Sequence, residues 1–412
     1  MEQTIRTRRV KLVAAVVVML FAGIMYAWAI IKTPFEIFEN GVLSNTAQLG
    51  INYTLTIIFF CLGGFGAGLI SKQTTATLRF VLAAMLVFAS FLISSFQIVT
   101  LPYSKNYFLL YMSYGMLGGL GAGLAFNTVI STVNEWFPDK RGFSSGVVLF
   151  GFALNSLIIG RVADILGRTD SIGWRSTYVI MAITLGAVFL AAAFVLKPPP
   201  PDTMFPKPKS VVGKDQALEI RNYTALEMIR RPSFILIFTY VAIMSASGHA
   251  AMSFAKDIVI DVGATEGFAV TVVGFLGLSN GLGRFTSGLL FDKLGIKQTQ
   301  LISSAIIILA PVTVIMALIS NSFVLCITGL CLCGFSLGFA PTTCSVFASG
   351  FYGPRDFSLN FSILSLILIP APFAATLTGI VKTSTGEFTY AFIVLAILTV
   401  VGFFVNLAIR KP

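Results

Sequence analysis

One arginine of this sequence lies deep inside an apolar stretch, where an unpaired charge is costly. Arg284 stands among glycines, and Asn280 precedes it by four residues. That spacing is close to one helical turn, so both side chains lie on the same face of a helix. A guanidinium presents a planar fork of N–H donors that fits a carboxylate. The pair therefore predicts a site where Arg284 binds a substrate carboxylate and Asn280 binds its second oxygen or a hydroxyl.

Arg284 also has a structural interpretation. It could pair with Asp292, which follows it by eight residues, or with a group on another helix. The sequence favours substrate binding but leaves this alternative open.

Four other ionisable side chains are candidates for proton coupling or gating. His249, the only histidine, could accept a proton because its ordinary pKa is near neutral, or could be a packed neutral side chain. Asp257, beside Lys256, could protonate, gate or form an interfacial ion pair. Glu36 could protonate, and Lys32 could add a second positive charge or extend towards the membrane surface.

Five uncharged side chains could line the same site. Tyr26, Trp28 and Phe126 could wall a pocket for an acyl chain, and Asn127 and Ser345 could supply polar contacts. Each is also compatible with ordinary helix packing.

The elements that position these residues are membrane helices. Charged residues are 11% of the 412, whereas an ordinary soluble domain has about 25%. Hydrophobic residues make up 56%, in continuous runs that are unlike the alternating pattern of a membrane barrel. The lipid bilayer is therefore the main solvent. The net charge of +11 does not indicate nucleic-acid binding, because the basic residues form short clusters between apolar runs.

The apolar runs predict twelve transmembrane helices, which we call the first to twelfth spans, in two six-helix bundles. The spans are placed at 11–38, 47–70, 77–98, 106–135, 142–165, 173–196, 233–258, 266–290, 298–319, 322–349, 357–382 and 386–409. The predicted domains are an N-terminal bundle at 1–196, a linker at 197–232 and a C-terminal bundle at 233–412. Basic residues cluster at both ends and in the linker, which places these parts in the cytoplasm.

Enzyme chemistry finds little support in the sequence. The five cysteines lie in apolar spans, and Cys331-x-Cys333 has no neighbouring histidine or acid, so no metal site is predicted. There is no phosphate-binding loop or nucleophile motif, and no cofactor is predicted. A regulatory membrane protein or transceptor is the alternative from a different functional class.

The two halves of the chain repeat each other. Gly63–Ile70 matches Gly283–Leu290 at an offset of 220, and Gly119–Gly123 matches Gly334–Gly338 at an offset of 215. Both copies run in the same direction through the membrane. A parallel repeat of six plus six spans, joined by a basic cytoplasmic loop, resembles the major facilitator superfamily.

Local motifs sharpen this resemblance. Gly288–Lys297 is similar to the superfamily's signature between the second and third spans of a half. Trp136–Gly142 reads Trp-Phe-Pro-Asp-Lys-Arg-Gly, as in the oxalate/formate antiporters. Tyr26-Ala27-Trp28 resembles their Tyr-Ser-Trp, and Lys32 stands where monocarboxylate porters carry a lysine. The arginine of the eighth span occurs in both families.

The resemblance implies a secondary active transporter with alternating access, located in a bacterial plasma (inner) membrane as a monomer with both termini cytoplasmic. Oxalate/formate antiporters carry a lysine eight residues after an asparagine that matches Asn360, but this sequence has Leu368 there. One cation suits one carboxylate, which favours lactate- or pyruvate-like monocarboxylates.

The mode of coupling has two interpretations. Proton symport is favoured, and carboxylate exchange of the oxalate/formate type is the alternative. Monocarboxylate porters have an aspartate four residues before the arginine, where this sequence has Asn280, which cannot titrate. The proton site must therefore lie elsewhere, and His249, Asp257 and Glu36 are the candidates.

Overall fold

The computed structural model describes residues 2–36, 38–39, 42–43, 46–200, 203, 205, 221–371 and 373–412. Most of these residues are helical. The strands within them are β1 (Phe38–Glu39) and β2 (Val42–Leu43), which have two residues each and pair antiparallel. The all-α prediction is confirmed.

The spans lie close to their predicted positions. The helices of the first six are Glu2–Ala22 with Trp28–Ile31, then Gln48–Lys72, Ala76–Ser104, Phe108–Trp136, Arg141–Arg168 and Gly173–Val195. Those of the last six are Pro232–Asp261, Glu266–Ser320, Phe323–Gly350, Phe357–Ser365 with Phe373–Thr385, and Phe388–Ala408. A short helix, Ala225–Ile229, precedes the seventh span.

Glu266–Ser320 contains two spans rather than one. Its backbone leaves the helical conformation at Gly295, where φ is 79° and ψ is 177°. Only glycine adopts that conformation without steric cost, because it has no Cβ atom. Among the described residues, ten helices are long and apolar enough to cross a membrane, and one of them holds both the eighth and the ninth span. With the first span this makes twelve, as predicted.

The helices pack into two compact units. One contains Met1–Pro138 and Gly151–Pro206, and the other contains Asp139–Phe150 and Lys207–Pro412. The beginning of the fifth span therefore packs within the second unit, whereas the sequence boundaries assign it to the N-terminal bundle.

The first unit is organised around an interrupted first span. Its helix changes to a 3-10 helix at Gly23–Ala27 and again at Thr33–Phe35. The Tyr114 hydroxyl donates to the carbonyl of Ile24 at 3.3 Å, and the Tyr178 hydroxyl donates to that of Ile31 at 2.7 Å. Since water cannot satisfy polar groups inside a bilayer, buried tyrosines do so here. Their rings pack with those of Trp28, Phe35 and Phe91.

The described end of the predicted linker forms a capped surface turn. The Thr224 hydroxyl accepts a hydrogen bond from the Glu227 amide, and the Glu227 carboxylate accepts one from the Thr224 amide at 2.8 Å. These bonds favour the ionised carboxylate, so they hold the pKa of Glu227 below its ordinary value. The sequence predicts this capping box from Thr224-x-x-Glu227, and the prediction is confirmed.

Candidate functional site

Arg284 lies where three helical segments of the second unit approach one another closely. Glycines allow the approach, because a Cβ atom on Gly283 would come within 2.2 Å of the Phe335 carbonyl oxygen in the tenth span. A Cβ atom on Gly146, in the fifth span, would come within 2.7 Å of the Arg284 carbonyl oxygen. Small residues at such crossings are how helices pack tightly in lipid. Arg284 is consequently only 4% exposed.

Two neutral oxygens accept hydrogen bonds from the guanidinium of Arg284. Its Nε donates to Oδ1 of Asn280 at 3.2 Å, which confirms that the two side chains share a helical face. One terminal nitrogen donates to the backbone carbonyl of Leu149, in the fifth span, at 3.3 Å. These bonds orient the planar guanidinium, and an oriented fork of N–H donors matches the two oxygens of a carboxylate. Such an arrangement suits the binding of an anion.

Asn280 is also buried, with 4% of its surface exposed. Its Oδ1 accepts from Arg284, while Nδ2 lies 4.0 Å from the sulfur of Met252 in the seventh span. Thioether sulfur is a weak acceptor. The amide N–H groups of Asn280 therefore retain donor capacity for a stronger acceptor, such as a carboxylate oxygen or a hydroxyl.

Asp292 has a role separate from the bonds described for Arg284. Its two carboxylate oxygens accept hydrogen bonds from the backbone amides of Gly142 at 2.9 Å and Phe143 at 2.7 Å. A carboxylate at a helix N-terminus satisfies amides that have no partner within the helix. Asp292 thus caps the fifth span, about 12 Å along the helix from Arg284 at 1.5 Å per residue.

Ser345 lies in the tenth span of the same unit. Its hydroxyl is 2.8 Å from that of Ser145 in the fifth span, and each residue is 1% exposed. The neighbouring Thr342 donates to the backbone carbonyl of Arg284 at 3.3 Å. Thr342 of the tenth span therefore contacts the backbone that carries the arginine, and the Ser145–Ser345 pair joins the fifth and tenth spans.

The other proposed lining residues belong to the first unit. Phe126 packs between the rings of Phe60 and Phe152, with both centroid distances 5.1 Å, and Asn127 is 1% exposed. Trp28 is buried against Tyr114, and its indole N–H donates to the Leu49 carbonyl at 3.2 Å. These contacts give Trp28 a packing role in the structure.

Tyr26 lies in the 3-10 turn Gly23–Ala27, and its side chain falls outside the described part of the chain.

The candidate proton and gating residues are in different surroundings. Lys32 forms an ion pair with Glu36 at 3.2 Å, and their side chains are 27% and 19% exposed. Asp257 is exposed near the end of the seventh span. His249, in the middle of that span, has a buried Nε2 without a hydrogen-bond partner among the described residues. Among these four side chains, His249 offers a nitrogen atom, Nε2, that can bind a proton.

The described residues contain no group of three histidine, cysteine or acidic side chains that could hold a metal ion. The five cysteines are unpaired thiols, and four of them are buried.

Comparison with known proteins identifies the family of this chain. The profile of the Major Facilitator Superfamily matches residues 10–368, from the first span into the eleventh. The chain belongs to this superfamily. The predicted fold, with twelve spans in two related halves, is thereby confirmed, and the protein is a multi-pass membrane protein.

Two relatives of this superfamily member have named substrates. It is 23% identical over 400 residues to the oxalate:formate antiporter of Oxalobacter formigenes, covering 95% of this chain and 89% of that protein. It is 20% identical over 307 residues to monocarboxylate transporter 12 of Rattus norvegicus, covering 69% and 63%.

The fold also matches a solved transporter structure. The fucose:proton symporter FucP of Escherichia coli superposes with a TM-score of 0.69 at 14% identity, covering 98% of this chain and all of that one.

Sequence reasoning did not identify the contribution of the fifth span to the arginine site. The Leu149 carbonyl and the Ser145 hydroxyl are unremarkable in the sequence. The signal that points to them is Gly142-x-x-x-Gly146, whose spacing puts two glycines on one helical face and predicts a close crossing. Both glycines indeed meet the eighth span, at Gly288 and Arg284.

Proposed function

We propose that this superfamily transporter carries small monocarboxylates, of the size and charge of lactate and pyruvate, by proton symport with alternating access. The observation that carries the proposal is the buried Arg284, whose guanidinium is oriented by hydrogen bonds to Asn280 and to the Leu149 carbonyl. The oriented fork of N–H donors matches the two oxygens of a substrate carboxylate. Similarity to monocarboxylate transporter 12 supports this substrate class.

The charge of the site favours a monoanion over a dianion. Position 368, where the oxalate/formate antiporters have a lysine, is a partly buried leucine in the 3-10 turn Leu366–Leu368. Lys32, the other candidate cation, is paired with Glu36 at 3.2 Å. We therefore assign the substrate carboxylate to Arg284 alone, with Asn280 as the orienting donor.

The proton of the symport reaction needs its own acceptor, because Asn280 cannot titrate. We propose His249, since its Nε2 is buried and has no hydrogen-bond partner among the described residues. A neutral imidazole nitrogen in that state can bind a proton without first losing another bond. In this proposal the substrate and the proton bind to residues of the same unit.

Carboxylate exchange is the second candidate. The Trp-Phe-Pro-Asp-Lys-Arg-Gly motif at 136–142 and the similarity to the oxalate:formate antiporter favour it. An exchanger needs a loaded opposite side and no proton site, so the driving force of uptake distinguishes the two functions. For either one, we propose a monomer in a bacterial inner membrane with both termini in the cytoplasm.

Uptake of labelled lactate and pyruvate into proteoliposomes tests the assignment of Arg284. Arg284→Gln should abolish uptake, because charge-assisted bonds to a carboxylate contribute about 1.5–3 kcal/mol, or about ten- to hundredfold in affinity. Arg284→Lys keeps the charge but loses the fork, so it should fail as well. Asn280→Ala should still transport, with a Km raised about tenfold, since it removes one hydrogen bond to a charged group, worth about 1.5 kcal/mol.

The matched control is Arg161→Gln, which removes an exposed arginine that pairs with Asp164 at 3.2 Å. It should transport like the wild type. Thermal unfolding in detergent shows whether each variant is folded. Uptake near the wild-type rate in a folded Arg284→Gln protein would contradict the assignment.

A further inference from the structure

A second basic site lies in the second unit, where the ninth span begins and the twelfth span ends. A cavity of about 490 Å³ opens there. Lys297, Gln300 and Leu301 of the ninth span line one side of it, and Leu407, Arg410 and Lys411 of the twelfth span line another. None of these residues belongs to the carboxylate site around Arg284.

The cavity is strongly positive. Three of its lining side chains are cations, namely Lys297, Arg410 and Lys411, and none of its lining residues is acidic. All three cations are exposed, and the salt bridges described for the chain do not involve them. The ninth span starts at this point, just after the break at Gly295, and a helix N-terminus adds partial positive charge. Such a cavity attracts anions.

A buried amide provides a second, independent indication of a ligand. Gln300 is only 5% exposed, and its Nε2 is buried with no hydrogen-bond partner in the described structure. Its backbone carbonyl accepts from Asn406 at 3.1 Å, which ties the ninth span to the twelfth beside the cavity. Leaving a buried donor unsatisfied is costly, so a group that accepts from Gln300 would stabilise this region.

We propose that this cavity binds a phosphate group of the kind carried by the headgroup of an anionic phospholipid. Three cations and one amide donor match the charge and the acceptor oxygens of a phosphate. Leu301 and Leu407 are 40% and 53% exposed, which offers an apolar surface next to the cationic one. By the positive-inside rule these helix ends face the cytoplasm, where basic pockets between membrane helices bind anionic headgroups.

Native mass spectrometry of the purified full-length protein tests the proposal. The probes are phosphatidylglycerol and phosphatidylcholine, titrated against three proteins. The first is the wild type, and the second is the cavity variant Lys297→Gln/Arg410→Gln/Lys411→Gln. The third is the control variant Arg230→Gln/Lys293→Gln/Arg355→Gln, which removes three exposed cations that do not line the cavity.

The wild type should bind phosphatidylglycerol more tightly than phosphatidylcholine. In the cavity variant the ratio of these two affinities should fall about fivefold for each cation removed. The control variant should lose much less. Gln300→Leu, which keeps all charges, should weaken phosphatidylglycerol binding several-fold and leave phosphatidylcholine binding unchanged. Equal losses in the cavity and control variants would overturn the proposal.

Inorganic phosphate separates the two sources of the group. One outcome is that free phosphate stabilises the wild type, but not the cavity variant, against thermal unfolding, while the wild type does not prefer phosphatidylglycerol to phosphatidylcholine. In that case the ligand is a soluble phosphate and the lipid source is wrong. If phosphatidylglycerol binding depends on the cavity and free phosphate has no effect, the lipid source is supported. Lactate uptake by the cavity variant, measured in parallel, keeps this result separate from the carboxylate site.

Discussion

At the scale of single residues, the number of cations that meet a carboxylate substrate decides which acids bind. In the proposed function, Arg284 supplies one fixed positive charge and is oriented by its bonds to Asn280 and to the Leu149 carbonyl. Leu368 stands at the position where the oxalate/formate antiporters have a lysine, so it supplies no second cation. Lys32, the other candidate cation, is paired with Glu36. Oxalate carries two negative charges, so one of them would be buried without a partner, which is costly.

Competition between acids measures this preference. Unlabelled lactate or pyruvate should inhibit labelled lactate uptake at least about tenfold more effectively than oxalate does. Bound oxalate would leave one of its two charges without a charge-assisted bond. Leu368→Lys should improve inhibition by oxalate, whereas Leu368→Met, of similar size and neutral, should not. Stronger inhibition by oxalate than by every monoacid tested would show that a second cation does reach the substrate.

At the scale of helices, the position of Arg284 depends on the crossing of the eighth and tenth spans. A Cβ atom on Gly338 would come within 2.2 Å of the Asn280 carbonyl oxygen and 2.9 Å of the Arg284 amide nitrogen. Both are backbone atoms, which cannot rotate away. The crossing therefore has to widen at the two residues of the proposed site if Gly338 gains a methyl group.

Gly338→Ala should reduce both stability and transport. Overpacking of this kind costs about 1–3 kcal/mol, so we expect a lower thermal unfolding temperature and a large loss of lactate uptake. Gly277→Ala, in the eighth span, is the matched control, because a Cβ atom there would meet nothing within 4 Å. Should the two variants behave alike, the close crossing is not what positions the arginine.

Local patterns in the sequence were sufficient for much of this architecture, but not for the partners of the site. Apolar runs placed the spans, Thr224-x-x-Glu227 indicated its cap, and the four-residue spacing put Asn280 beside Arg284. The Leu149 carbonyl could not be predicted, because every residue has a carbonyl and only tertiary packing decides which one meets an arginine. Likewise, nothing in the local sequence around Trp28 distinguishes burial under Tyr114 from a place in a pocket.

At the scale of the whole molecule, the question is what drives the transport cycle. A monocarboxylate that crosses together with one proton moves no net charge, and an inward proton gradient then drives uptake of the acid. Exchange moves one anion for another, and it responds to the anion loaded on the far side. In our proposal the two mechanisms share the site at Arg284 but differ in their need for a proton acceptor, which we place at His249.

Proteoliposomes with and without internal substrate resolve the two mechanisms. An inward proton gradient should stimulate lactate uptake into empty vesicles of the wild type, because protonation of His249 accompanies binding. His249→Gln, which keeps a hydrogen-bonding amide but cannot titrate near neutral pH, should lose this stimulation. It should still exchange labelled for unlabelled lactate when vesicles are preloaded, since exchange needs no net proton movement. Asp257→Asn, which removes an exposed carboxylate of the same span, should keep the response to the gradient. Uptake that occurs only into preloaded vesicles, with no effect of the gradient, would identify the protein as an exchanger.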